Sequence, residues 1–60
     1  MNELIGKKVT VYSVNGASEG RDIGILESIE GPWLRLRKAD GEVLFFGAYQ
    51  IRLVKPFDPL

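Results

Sequence analysis

The chain contains neither cysteine nor histidine in its 60 residues. The first absence excludes a disulfide framework and a thiolate metal site. The second removes the commonest neutral metal ligand and the usual base of a nucleophilic pair. An excess of charge of one sign is also missing, because eight Lys and Arg stand against eight Asp and Glu. That balance argues against a polyanion binder driven by bulk electrostatics and leaves only a local basic patch open. Long apolar runs are missing too: no stretch approaches the roughly 20 residues that span a bilayer, and the opening MNELIGKK has no apolar segment of signal-peptide length. The expectation is a cytoplasmic protein with no membrane partner. Seven glycines form neither a P-loop nor a dinucleotide fingerprint, and the acidic residues lack EF-hand spacing. No cofactor, metal, small-molecule substrate or enzymatic activity is expected. The closest carboxylates, Glu27 and Glu30, are explained by a cross-strand arginine and a turn.

What is present is a succession of short strand-forming runs separated by single Gly and Pro residues, with no linker or repeat. Residues 1–60 form one domain. A chain this short buries only about 60% of its unfolded surface, so oligomerisation is the staple left to it.

Asn2 is placed to cap a single turn over Glu3, Leu4 and Ile5, with Gly6 ending it. The first strand runs from Lys7 to about Ser13, with Val9 and Val11 alternating against polar residues. The second runs from Arg21 to Glu30. A two-residue turn at Asn15-Gly16 would set Val9 opposite Asp22 and Val11 opposite Gly20, so pairing of Val9 with Ile25 and Val11 with Ile23 is preferred. This leaves Val14 to Gly20 as a wide loop. A three-residue loop over Glu30-Gly31-Pro32 then sets Ile29 against Trp33, Glu27 against Arg35 and Leu26 against Leu36, with a bend at Gly24 turning Ile23 and Ile25 into the core.

The stretch from Pro32 to Gly47 carries the strongest signal. Ala39-Asp40-Gly41 is a three-residue hairpin loop with Gly where a positive φ is needed. Counting outward, Lys38 faces Glu42, Leu36 faces Leu44 and Leu34 faces Phe46, which defines a core face. The opposite face carries Trp33, Arg35, Arg37, Val43 and Phe45. Ala48-Tyr49-Gln50 fits a 3₁₀ turn before a last strand, Ile51 to Val54, stopped by Pro56 and followed by the tail Phe57-Asp58-Pro59-Leu60. Five short strands, one bent by glycine, describe an all-β, strongly bent antiparallel barrel of SH3-like type.

Gly24-Ile25-Leu26-Glu27-Ser28-Ile29-Glu30 resembles the first motif of the Sm/LSm family, and Gly47 with Ile51 resembles the second. The resemblance implies an Sm-like barrel, subunit rings and RNA. Leu34 and Phe46 occupy the positions at which that family contacts bases. Gly6-Lys7, Val9, Gly24 and the closing Ile51 to Phe57 are also similar to the C-terminal barrel of the bacterial ribosome maturation factor, and these are fold positions.

Two surfaces remain as candidate sites. The outward face of the hairpin, with Trp33 and Phe45 contributing roughly 150 to 250 Å² each, suits a protein contact in which Arg35 and Arg37 stack on the rings. In the alternative, the N-terminal turn with Leu4 and Ile5, or the tail with Phe57 and Leu60, closes over this face. The same residues, with Lys7, Lys8, Lys38 and Arg52, also describe a platform for single-stranded nucleic acid. The last strand offers Ile51, Leu53 and Val54 as an edge for a second copy. The function expected is that of a small binding or assembly module, self-associating through the face or the edge; the alternative is RNA binding by the arginine and aromatic surface.

Overall fold

The computed structural model describes residues 2–57. It is all-β: strands β1 (Lys8–Asn15), β2 (Ser18–Glu30), β3 (Trp33–Arg37), β4 (Val43–Gly47) and β5 (Ile51–Pro56), with 3₁₀ turns at Asn2–Leu4 and Ala48–Gln50. The strands form one antiparallel sheet in the order β4-β3-β2-β1-β5. It is strongly bent around its own core, but hydrogen bonds between β4 and β5 do not close it into a barrel. Asp58, Pro59 and Leu60 lie outside the described residues, and with them most of the expected tail.

Alternation sends one apolar set inward. Val9, Val11, Leu26, Leu34 and Leu36 are buried, and Leu4, Ile29, Phe46, Ile51 and Val54 pack against them, so every strand contributes. The N-terminal turn closes this core with Leu4. Its chain reverses through Gly6 (φ 88°) and is tied to β2 by Gly6 N–H to Leu26 O at 2.7 Å and Leu26 N–H to Lys7 O at 3.0 Å.

The β3–β4 hairpin has the register read from its loop: Leu34 pairs with Phe46 and Leu36 with Leu44. Gly41 takes φ 91°, Gly41 N–H donates to Lys38 O, and Asp40 Oδ1 accepts the Glu42 N–H at 2.9 Å. The Lys38 and Glu42 backbones pair as expected, but the Lys38 ammonium lies 3.3 Å from Asp22 instead of on Glu42.

Two expectations are corrected. The β1–β2 connection is a tight hairpin, not a wide loop: Asn15 pairs with Ser18 around Gly16-Ala17. Gly16 has φ 67° and Ala17 does not have a positive φ, the pattern of a type II′ turn. Val9 therefore faces Gly24, Val11 faces Asp22, and Ile23 and Ile25 pair with Thr10 and Lys8 on the outer face. The expectation assumed that each buried valine needs an apolar residue directly opposite; here the facing strand supplies a glycine, and Leu36 of β3 fills the space above it.

The second correction concerns the irregularity of β2. Leu26 pairs with Leu36 as expected, but beyond it Ser28 pairs with Arg35, Ile29 with Leu34 and Glu30 with Trp33. Glu27 is the extra residue of a β-bulge, and the loop shortens to Gly31-Pro32, with Gly31 at φ 58°. The bulge shifts side-chain parity by one, which is why Leu26 and Ile29 both point inward. Gly24 has a different role, because a Cβ there would lie 2.4 Å from the Arg37 carbonyl oxygen and 3.1 Å from Leu36 Cγ.

Gly24→Ala must therefore push β2 from the backbone of β3. The expected outcome is a loss of about 1–3 kcal/mol in urea unfolding, whereas Gly20→Ala, which meets only the Ser13 hydroxyl, is expected to cost much less.

Candidate functional site: an arginine and aromatic sheet face

The outer face of β2, β3 and β4 is built in three cross-strand rows. Glu30, Trp33 and Gly47 form the first, Ser28, Arg35 and Phe45 the second, and Ile25, Arg37 and Val43 the third. The five residues assigned to this face by alternation thus stand together on it. Trp33 is 51% exposed and Phe45 63%, so neither is covered by the N-terminal turn or by Phe57. Leu4 packs into the core instead, and Phe57 lies under the Lys8 ammonium, 4.3 Å from the ring centroid.

A third aromatic belongs to the face and escaped the sequence reading. A Cβ on Gly47 would lie 2.5 Å from Tyr49 Cε1, so the Tyr49 ring occupies the space that a side chain at Gly47 would fill, beside Trp33 in the first row. Tyr49 is 85% exposed. The signal was the glycine itself, since a strand-terminal Gly two residues before an aromatic leaves room for that ring to fold back.

The electrostatics turn on Glu27. Because the bulge aims its side chain outward, the carboxylate reaches both arginines of β3: Oε1 lies 2.9 Å from Arg35 Nε, and Oε2 accepts a hydrogen bond from Arg37 Nε. The Arg35 contact is too bent for a hydrogen bond although both atoms are shielded from solvent, so it acts as a charge contact. The Arg37 hydrogen bond and the two positive charges hold the Glu27 carboxyl below its ordinary range. Arg35 also stacks on its cross-strand neighbour, its Cζ 5.8 Å from the Phe45 centroid.

The other basic candidates do not join this group. Lys38 pairs with Asp22, Arg52 pairs with Glu19 at 2.8 Å, Lys8 is the first residue of β1 and Lys7 precedes it. The candidate edge residues divide: Ile51 and Val54 pack on the core, and Leu53 is half exposed. Trp33 stands between two open depressions. One of about 350 Å³ is lined by Ser28, Glu30, Arg35 and Phe45; another of about 510 Å³ includes Leu4, Ile29 and Leu53. Among the described residues no group of three or more acidic side chains is placed to hold a metal ion, and no helix is long and apolar enough to cross a membrane. Comparison with protein-family models, curated proteins and solved structures finds no match to this chain.

Because the folded-state pKa of Glu27 is depressed, its contribution to stability is fully present above the ordinary glutamate value of about 4.3 and is lost as pH falls through the lower folded value. The stability gap between the wild type and Glu27→Gln, followed by urea unfolding, should be constant at neutral pH and narrow only below about pH 4.3.

Proposed function

We propose that the protein is a non-enzymatic binding and assembly module of the SH3-like or Sm-like type, self-associating through the outer face of β2, β3 and β4. The observation that carries this reading is the coincidence of three exposed aromatics, Trp33, Phe45 and Tyr49, with two arginines whose charge is offset by Glu27, which contacts both, and by Glu30 in the first row of the same face. Aromatic residues and arginine are the types enriched at protein interfaces, and a face whose charges are internally balanced favours an apolar contact over a phosphate backbone. Small size supports the second copy as partner, because a 60-residue chain without cysteine gains stability from a shared core.

One observation favours nucleic acid as a second reading: Arg35 lies among the exposed rings, as on a platform where bases stack and phosphates meet guanidinium groups. The Sm/LSm resemblance points the same way. Against it, Leu34 is buried and Phe46 packs on the core, at the positions where that family contacts bases.

Sedimentation and RNA titration against Trp33 fluorescence separate the two. Self-association should persist at high salt and weaken by at least about tenfold in Phe45→Ala. Association with RNA would instead fall steeply with salt and respond to Arg35→Ala and Arg37→Ala.

A further inference from the structure

The two open edges of the sheet are unequal. Along β5, Phe57 N–H donates to Lys8 O, which fixes the alternation: Leu53 and Lys55 bond to β1, while Val54 and Pro56 turn their backbone groups outward. Pro56 has no N–H to offer, and the register shift at Tyr12/Ser13 makes Arg52 a bulge. Bulge and proline are the usual protections of an edge strand.

The edge of β4 has neither. Lys38 N–H donates to Glu42 O and Ala48 N–H to Pro32 O, so with an uninterrupted register the even residues of β4 bond to β3. Val43, Phe45 and Gly47 then present N–H and C=O to the open side. Gly47 N–H has a long contact with Gln50 Oε1 at 3.4 Å, and among the described residues no strand is bonded to the open side of Val43 and Phe45. The strand VLFFG carries no charge, no proline and no bulge.

We infer that β4 pairs antiparallel with β4 of a second copy about a two-fold axis at Phe45, joining two sheets into one of ten strands. This inference rests on the self-association reading and adds to it a backbone contact along the edge that borders the face. The arrangement is self-complementary: Phe45 faces Phe45 of the second copy, and Val43 faces its Gly47. Four ladder hydrogen bonds form without rearrangement, and two more on release of Gly47 N–H from Gln50. A strand without charged residues brings no like charges together, and the outer faces become continuous, with the Phe45 rings of both copies adjacent. The protected β5 edge disfavours the head-to-tail alternative.

The chain is short enough for total synthesis with an N-methyl group at Phe45. This removes one outward N–H and leaves the β3 ladder and every side chain intact. At about 1 mM the natural chain should sediment as two copies, with Val43 and Phe45 amides exchanging more slowly than in dilute solution. The N-methylated chain should keep its circular dichroism and associate at least about tenfold more weakly. Unchanged association of the methylated chain, or fast exchange at Val43 and Phe45 in the natural chain while it is associated, overturns the edge pairing and leaves the face reading standing. A mass above two copies overturns the two-fold arrangement. A monomer at every concentration overturns both readings together.

Discussion

One extra residue in β2 governs the structure. Glu27 stands unpaired between Leu26, opposite Leu36, and Ser28, opposite Arg35. Without that insertion a strict alternation would send Leu26 inward and Ile29 outward; with it both reach the core, and the chain arrives at Trp33 one position later. The outward direction of Trp33 and Arg35 is set separately, by alternation along β3 and its register with β4. The bulge also increases local twist, which helps a single sheet curl round a core it does not close by hydrogen bonds.

The residue that bends the strand also sets its electrostatics. A carboxylate on a regular strand faces one cross-strand neighbour, whereas the bulged Glu27 lies between two and reaches Arg35 and Arg37 together. Exposed ion pairs contribute little stability each. Their larger effect is on the character of the face, since two guanidinium groups held to one carboxylate leave the three aromatics as its dominant exposed feature. Beside that face lies the unprotected edge of β4, while bulge and proline protect β5 at the far side of the sheet. The proposed self-association uses the side of the molecule that this asymmetry leaves open.

The sequence was most legible where turn chemistry and alternation agreed. Asp40-Gly41 and the leucine pattern set the β3–β4 register and therefore the outward residues. It was least legible in β2. The Asn15-Gly16 turn, which would set Val9 opposite Asp22, is indeed absent, but the demand for apolar partners hid a tight turn one residue later, at Gly16-Ala17, in which Gly24 faces Val9 and Leu36 fills the space above it. The bend was placed at Gly24 because glycine marks irregularity, whereas the extra residue is a glutamate whose bulge is visible only from the pairing on both sides. Tyr49 lay in a turn after the strand, and only the empty side of Gly47 shows that its ring returns to the face.

The central claim is the one-residue shift at Glu27, and proton NMR of the intact chain tests it most directly. The Leu26 backbone is bonded toward Lys7 and the Leu34 backbone toward β4, so both face across β2–β3 as non-bonded pairs with closely opposed Hα atoms. The account predicts Hα–Hα contacts between Leu26 and Leu36 and between Ile29 and Leu34. A contact of Leu34 with Ser28 in place of Ile29 would mean an unbroken register and would contradict it.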